Sequence, residues 1–182
     1  GPAGALECAV DAPAEGGAVR GVAVICHPHP QHGGTMDNKV VQTLARALLQ
    51  LGYRSVRFNF RGVGGSAGHW DQGHGEIDDA LAVVAATRPP GTPLVLGGFS
   101  FGGYVATQAA ARLAEAGAGQ RAARLVLVAP AAGNFTLAPV PADTLVVHGE
   151  VDDVVPLAAV LAWARPLSLP ITLVPGAGHF FH

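Results

Sequence analysis

The heptapeptide GGFSFGG at residues 97–103 separates two segments of opposite character. Before its serine, Leu94–Phe99 is a short and continuous apolar run, which is typical of a strand covered on both faces in a parallel sheet. After it, Phe101–Ala116 is rich in alanine and stops at Gly117, as a helix does. The sequence therefore predicts a strand, a sharp turn at Ser100 and a helix.

The same alternation of short apolar runs and helical patterns continues along the chain. Strands are predicted at Leu6–Val10, Gly21–Cys26, Ser55–Phe60, Leu94–Phe99, Leu125–Ala129, Thr144–His148 and Ile171–Val174. Helices are predicted at Lys39–Leu51, Ile77–Thr87, Phe101–Ala116 and Val155–Ala164. This order predicts an α/β fold with a doubly wound, mostly parallel sheet. Because no repeat or linker is visible, we expect one domain over residues 1–182.

The composition excludes several classes of protein. Apolar residues make up 49% of the 182 residues and charged residues 13%, which argues against disorder. A net charge of −2 provides no basic surface for nucleic acid or for anionic lipid. Two cysteines form no disulfide framework, and no apolar run approaches the roughly 20 residues that cross a bilayer. No signal peptide is visible, so we expect a cytoplasmic protein that binds neither nucleic acid nor membranes.

The turn around Ser100 matches the G-x-S-x-G pattern of a nucleophile elbow. A sharp strand-to-helix turn strains the backbone at the serine, and Gly98 and Gly102 avoid side-chain clashes in it. The hydroxyl is then presented at the carboxyl edge of the sheet, beside a helix N-terminus. The pattern alone is also compatible with a glycine-rich turn that carries an incidental serine.

A serine nucleophile needs a base, and the base needs an acid that orients it. In this kind of fold the order along the chain is Ser, then Asp or Glu, then His. Asp152 and Asp153 follow a predicted strand, and His179 follows the last one. Strand ends are where open α/β sheets build their sites, so these residues are candidate partners of Ser100. The residues alone leave the choice between the two aspartates open.

Four segments resemble the α/β-hydrolase superfamily. HGEVDDVVP at residues 148–156 is similar to its HGxxDxxVP segment, in which the first acid belongs to the catalytic triad. The resemblance therefore implies Asp152, while Asp153 would help to start the next helix. Gly178-His179-Phe180 resembles the catalytic-histidine loop, and FNFRGVGGS at residues 58–66 resembles the FRGxGxS loop. HPHPQHGGTMDNKVV at residues 27–41 resembles the corresponding segment in a bacterial subgroup of small α/β-hydrolases that have no lid.

Acyl transfer also needs N–H groups that bind the developing oxyanion. One should be the amide of Phe101, which follows the nucleophile. The other should come from the loop after Gly21–Cys26, where Pro28 and Pro30 carry no N–H. By resemblance, His27 and Pro28 occupy the positions of the superfamily's His-Gly pair. The same resemblance gives the oxyanion role to the backbone N–H of His29.

The resemblance also implies what should cover the site. Only residues 130–143 follow the predicted strand Leu125–Ala129 before the next one, which is too short for a cap domain. We therefore expect a site without a lid, which disfavours an interfacial lipase. The superfamily usually continues with a helix after the histidine, whereas this sequence ends three residues after His179, so that C-terminal helix is expected to be missing.

These patterns predict a serine hydrolase that cleaves a small-molecule ester or a related acyl bond, without a metal or an organic cofactor. Two alternatives stay open. His27, His29 and His32, with Asp37 nearby, are residue types that bind metals. A catalytically silent binding protein could also use this scaffold. Neither the acyl group nor the oligomeric state is readable from the sequence.

Overall fold

The computed structural model describes residues 1–14 and 18–181. Within these residues, seven strands form one sheet and four α-helices pack on it. The strands are β1 (Cys8–Asp11), β2 (Gly21–Cys26), β3 (Tyr53–Phe58), β4 (Leu94–Phe99), β5 (Arg124–Val128), β6 (Leu145–Gly149) and β7 (Ile171–Val174). The helices are α1 (Lys39–Gln50), α2 (His74–Thr87), α3 (Phe101–Glu115) and α4 (Leu157–Ala164). Short 3₁₀ turns lie at Pro30–His32, Ala118–Gln120 and Arg165–Leu167.

The sheet has the strand order β1-β3-β2-β4-β5-β6-β7. β1 pairs antiparallel with β3, and the other neighbouring strands pair in parallel. Val24 in the centre of β2 lies opposite Val56 of β3 and Leu96 of β4. From β2 the chain moves to one side for β3 and then to the other side for β4. The carboxyl ends of β2 and β4 therefore flank the switch point of the sheet, where ligands of open α/β sheets bind.

Helices cover both faces of the sheet, as predicted for a doubly wound fold. On one face, α1 packs Val41, Ala45 and Leu48 against Ile25 of β2 and Phe99 of β4. Burial of these apolar side chains is what holds the amphipathic α1 on the sheet.

The opposite face carries α2, α3 and α4 in one continuous apolar cluster. Ile77 of α2 and Val105 of α3 pack into this cluster with Phe58 of β3 and Leu96 of β4, and Val160 of α4 extends it toward β6. Because this face holds three helices, it contains most of the buried core and fixes α3 firmly behind β4.

Each predicted strand and helix is present: β2, β4 and β7 have the predicted bounds, and the other boundaries differ by at most three residues. α2 begins at His74 instead of Ile77, because the buried Glu76 carboxylate accepts hydrogen bonds from the N–H groups of Gly73 (2.8 Å) and Asp71 (3.0 Å). These bonds satisfy backbone donors that a helix start leaves without partners. The predicted strand starts were least accurate at Leu6 and Ser55, which lie two residues from the starts of β1 and β3.

The segment between β5 and β6 contains no helix or named strand in the described chain. One isolated bridge pairs Ala132 with Phe135, and the remainder is loop. The expectation of a fold without a cap domain is thereby confirmed. Among residues 1–14 and 18–181, none of the helices combines the length and the apolar character that crossing a bilayer requires.

Candidate active site

Ser100 occupies the turn between the end of β4 and the start of α3. Its backbone has φ 55° and ψ −118°, a conformation that L-residues rarely adopt. Besides the bonds within the first turn of α3, two backbone bonds to residues distant in sequence hold this strained turn in place. The N–H of Ser100 donates to the carbonyl of Val128 at 3.0 Å, and the N–H of Ala131 donates to the carbonyl of Ser100 at 3.1 Å. Strain that persists because its surroundings over-determine it is common at functional sites.

The two glycines of the G-x-S-x-G pattern are required by close backbone approaches. A Cβ atom on Gly98 would clash with the carbonyl of Gly102 across the turn. A Cβ atom on Gly102 would clash with the carbonyl of Cys26 at the end of β2. The first glycine therefore permits the turn itself. The second brings the N-terminus of α3 against the loop that follows β2.

His179 and Asp152 lie next to Ser100, in the order that the sequence predicted. The Oγ atom of Ser100 is 3.1 Å from Nε2 of His179, and Nδ1 of His179 is 2.7 Å from Oδ2 of Asp152. All three residues are buried, with exposed fractions between 4% and 8%. An ionised carboxylate can only accept, so Nδ1 carries the proton and Nε2 is left to accept from the serine hydroxyl. The three side chains form a continuous hydrogen-bonded line.

Asp152 is fixed by the backbone of its own loop. Its Oδ1 atom accepts hydrogen bonds from the N–H groups of Val154 (2.9 Å) and Val155 (2.7 Å), which leaves Oδ2 for His179. Asp153, the other candidate acid, is exposed. The expectation that Asp153 helps to start the next helix was wrong, because α4 begins after Pro156 and receives no side-chain cap.

The two residues expected to supply oxyanion donors are neighbours. The rings of His29 and Phe101 lie with centroids 5.2 Å apart. Within the described residues, neither backbone N–H donates to a protein acceptor. The His29 backbone is held by its carbonyl, which accepts from the N–H groups of His32 (3.1 Å) and Gly34 (3.0 Å). The structure therefore leaves both predicted donors available at the switch point of the sheet.

A strained serine next to a buried His–Asp pair at this sheet edge is the arrangement of a serine hydrolase. Residues 17–137 match the family model described as serine aminopeptidase, S33. The chain belongs to this family. Its fold is the α/β-hydrolase fold, and it is an α/β serine hydrolase family member without a lid.

Three relatives give the S33 assignment its context. An α/β serine hydrolase without a lid from Xanthomonas campestris is 46% identical, with a TM-score of 0.86 over 100% of this chain and 84% of its own. An α/β serine hydrolase homologue from Coxiella burnetii is 42% identical, with a TM-score of 0.83 over 100% of this chain and 87% of its own. An uncharacterised protein of Rickettsia prowazekii is 32% identical over 176 residues, which cover 88% of this chain and 71% of the relative.

The imidazole of His27 has a structural role that the sequence did not indicate. Nδ1 lies 2.6 Å from the carbonyl of Pro28, and Nε2 accepts a hydrogen bond from the N–H of Phe60 at 3.1 Å. The ring therefore joins the loop after β2 to the loop after β3. Burial lowers the pKa of His27 to about 4, so the ring is neutral near pH 7. In this S33 family member, His27 helps to fix the loop that carries the His29 N–H.

His148 is a second histidine beside Asp152. It is fully buried in β6, with Nε2 3.0 Å from the carbonyl of Val155 and 3.7 Å from Oδ2 of Asp152. Burial is the main cause that lowers its pKa, against the opposing effect of the Asp152 charge. A neutral ring that donates through Nε2 supports the loop on which Asp152 lies. The sequence contained this histidine in HGEVDDVVP, but roles were assigned there only to Asp152 and Asp153.

The hydrogen bonds of the FRGxGxS-like loop link it to neighbouring elements of the fold and not to the Ser100, His179 and Asp152 side chains. Arg61 forms two side-chain hydrogen bonds with the buried Asp79 of α2, at 3.0 Å and 2.9 Å. Ser66 donates to the carbonyl of Asn59 at 2.6 Å, and Asn59 donates to Glu7 at 2.7 Å. This network joins the loop to α2 and to the segment before β1, next to the carboxyl end of β3.

The clustered histidines after β2 do not form a metal-binding group in the described chain. Both ring nitrogens of His27 are engaged, while His29 and His32 stack with centroids 4.4 Å apart. Asp37 forms an ion pair with Arg57, whose Nη1 atom lies 3.2 Å from Oδ1 of Asp37. Among the residues that the structure describes, no three His, Cys, Asp or Glu side chains form a group that could hold a metal ion. The arrangement therefore lends no support to the alternative of a metal-dependent hydrolase.

Proposed function

We propose that this protein is a serine hydrolase that cleaves small esters or related acyl bonds through an acyl-enzyme intermediate. The observation that supports it most is the line of short contacts from Ser100 Oγ to His179 (3.1 Å) and from His179 to Asp152 (2.7 Å). The sharp turn at Ser100 and the absence of a cap domain in the described chain support it further. A cytoplasmic location stays a prediction from the sequence.

In the first half of the reaction, Oγ of Ser100 attacks the acyl carbon while Nε2 of His179 takes its proton. The charge that develops on the carbonyl oxygen is stabilised by the N–H groups of His29 and Phe101. Asp152 holds the imidazole in the required tautomer and stabilises its cation. When the tetrahedral intermediate collapses, His179 returns the proton to the leaving oxygen, and the alcohol departs.

In the second half, a water molecule attacks the acyl-enzyme. His179 takes a proton from that water, and the same two N–H groups stabilise the second oxyanion. Collapse of this intermediate releases the carboxylic acid, and the proton returns from His179 to Ser100. The cycle consumes one ester and one water, produces one acid and one alcohol, and needs no cofactor.

A fluorophosphonate probe tests the proposal directly, because it phosphonylates an activated serine. We expect mass spectrometry to locate the adduct at Ser100, and p-nitrophenyl acetate to be hydrolysed. Ser100→Ala should abolish labelling and lower kcat/KM by at least about 10³-fold, since members of a triad act as a unit. Ser168→Ala is the matched control, because Ser168 also has a positive φ (51°) but lies on the surface after α4.

A folded protein that neither labels nor hydrolyses the ester would contradict the proposal and favour a silent binding protein. The family name raises a second comparison, between esters and aminoacyl p-nitroanilides. We expect kcat/KM for the acetate to exceed that for the anilides. The reverse order, with labelling still at Ser100, would replace esterase activity by the aminopeptidase activity that the family name describes.

A further inference from the structure

A cluster of aromatic rings adjoins Ser100 on the side of the predicted oxyanion donors. We call it the ring cluster and define it as His29, Trp70, Phe101, Tyr104 and Phe135. Phe101 is its centre, with ring centroids 5.2 Å from His29, Trp70 and Phe135 and 5.7 Å from Tyr104. These separations fall in the range of favourable offset or edge-to-face contacts. Because Phe101 directly follows Ser100, the ring cluster is fixed relative to the serine.

Its members differ in exposure in a way that favours binding. Phe101 and Tyr104 are buried, while His29, Trp70 and Phe135 are half-buried. The buried pair belongs to α3 and forms a rigid base. The half-buried rings leave aromatic surface open to solvent, and they lie close together: the centroids of the Trp70 and His29 rings are 4.6 Å apart. Apolar surface next to a few polar groups is typical of small-molecule sites.

Trp70 is held in place by the start of α2. The N–H of the next residue, Asp71, donates to the buried Glu76 carboxylate at 3.0 Å. The Asp71 carboxylate lies 3.8 Å from the Arg61 guanidinium. The ring of Trp70 thus projects from a loop whose next residue is fixed by two contacts, which lowers the entropic cost of binding against it.

Phe135 is held in place by α3. Its ring stacks on Tyr104, with centroids 4.8 Å apart and planes inclined by 26°. Its N–H donates to the carbonyl of Ala131 at 3.0 Å, and the side chain of Gln108 donates to the carbonyl of Thr136 at 2.8 Å. Two separate loops therefore bring half-buried rings to the same side of Ser100.

The orientation of a bound ester follows from the proposed function. The leaving oxygen must receive its proton from Nε2 of His179, so it faces that imidazole. The ring neighbours of His179 are Phe99 and Phe180, which are not members of the ring cluster. With the carbonyl oxygen directed at the N–H groups of His29 and Phe101, the acyl substituent is the part that reaches the ring cluster.

We propose that the ring cluster is the acyl subsite and that it selects flat aromatic acyl groups, such as phenylacetyl, over saturated groups of the same size. The proposal rests on the serine hydrolase function above. A planar ring can stack on Trp70 or Phe135, whereas a puckered cyclohexyl ring gains burial but loses the favourable quadrupole contacts. We expect a preference of about tenfold in kcat/KM, which is the size of one or two aromatic contacts.

The test compares methyl phenylacetate with methyl cyclohexylacetate, in which a methylene separates the ring from the carbonyl and keeps the intrinsic reactivities similar. Rates are followed by titration of the acid released. Trp70→Leu and Phe135→Leu should each reduce the phenyl preference to about twofold or less. In each variant, hydrolysis of methyl phenylacetate should fall more than hydrolysis of methyl acetate, which carries no ring, and the fluorophosphonate should still label Ser100. Tyr53→Leu is the control, since this half-buried ring lies at the amino end of β3, away from Ser100.

The outcomes separate the two proposals. Equal rates for the two esters, with Ser100 labelled and methyl acetate hydrolysed, would overturn the aromatic subsite and leave the hydrolase function intact. A preference that Tyr53→Leu reduces as much as Trp70→Leu would also overturn it. So would a preference found only on the alcohol side, for benzyl acetate over cyclohexylmethyl acetate. Absence of both labelling and hydrolysis would overturn the subsite together with the proposed function.

Discussion

The two sides of Ser100 differ in the kind of side chain that surrounds the serine. Toward His179, beside the rings of Phe99 and Phe180, polar groups satisfy one another through short hydrogen bonds: His179, Asp152 and the Val154 and Val155 amides. Toward Phe101, the neighbours are half-buried rings in contact with one another.

Under the proposed function, the difference assigns the two sides of Ser100 to two tasks. Proton transfer needs fixed directions and distances, which buried hydrogen bonds provide. Binding an acyl group needs exposed apolar area, which a hydrogen-bonded network cannot offer. Changes on the polar side should therefore affect the chemical step, and changes on the ring side should affect the choice of substrate.

The largest effect should come from breaking the polar side at Asp152. Asp152→Asn removes the charge that fixes the tautomer of His179 and stabilises its cation. We expect kcat/KM for p-nitrophenyl acetate to fall by about 10³–10⁴-fold, with the loss in kcat, because the interaction acts mainly in the transition state. Steady-state kinetics with active-site titration measures it.

Asp153→Asn is the matched control for this change, because the neighbouring carboxylate is exposed. We expect its kcat/KM to stay within about twofold of the wild type, as surface substitutions usually have small effects. If kcat/KM fell equally in both variants, the negative charge of the loop would matter, and a specific role of Asp152 would be contradicted.

A smaller loss of activity is expected from a change at Gly102, where the start of α3 packs against the end of β2. Gly102→Ala would place a methyl group against the carbonyl of Cys26 and force α3 away from the end of β2. We expect a loss of about 1–3 kcal/mol in the free energy of unfolding, as for overpacked cores, measured by urea denaturation. We also expect about 10²-fold lower kcat, since the amides of His29 and Phe101 would separate.

Gly119→Ala provides the control for the general effect of adding a methyl group to a glycine. A Cβ atom on Gly119 meets nothing within 4 Å. Its stability and activity should stay close to the wild type. If Gly102→Ala behaved in the same way, the close approach of α3 to the loop after β2 would not be needed for either.

The smallest effect concerns the support that His27 gives to the loop after β2. In His27→Asn the shorter side chain leaves the N–H of Phe60 without its acceptor, at a cost of about 1–3 kcal/mol near pH 7.5. The folded pKa of His27 is about 4, below the value of about 6.5 expected in the unfolded chain. Its contribution to stability is therefore complete above pH 6.5 and declines as the pH falls toward 4.

The stability gap between His27→Asn and the wild type should consequently shrink by about 2 kcal/mol between pH 7.5 and pH 4.5. Urea denaturation across this range measures the gap. His69→Asn is the control for replacing a histidine, because the His69 side chain is exposed and surface substitutions usually change stability little. A gap that stayed constant would contradict the neutral, buried state of His27.

The order of strands and helices was predictable because it rests on local patterns. Apolar runs such as Leu94–Phe99 and the helical pattern after Ser100 depend on near neighbours in the chain. The boundaries were less predictable where a distant or buried group decides them. Glu76, for example, extends α2 back to His74 by accepting two backbone hydrogen bonds.

The candidate site was predictable in part. Ser100, Asp152 and His179 each stand at a strand end, so a rule of chain order and the resemblance to α/β-hydrolases pointed to them. The role of Asp153 as a helix start was wrong, and the structural roles of the His27 and His148 imidazoles were not predicted. Their partners, the Phe60 N–H and the Val155 carbonyl, are backbone groups that carry no sequence signal.

By itself, the sequence determined the alternation of elements, the strained glycine-flanked turn at Ser100, and the candidate acid and base, because these depend on local residue types and on order along the chain. Only the tertiary structure decided the 3.1 Å and 2.7 Å contacts of His179 and the assembly of Trp70 and Phe135 around Phe101. The physical reason is the parallel sheet. It brings the ends of distant strands to one edge, where loops far apart in sequence pack together.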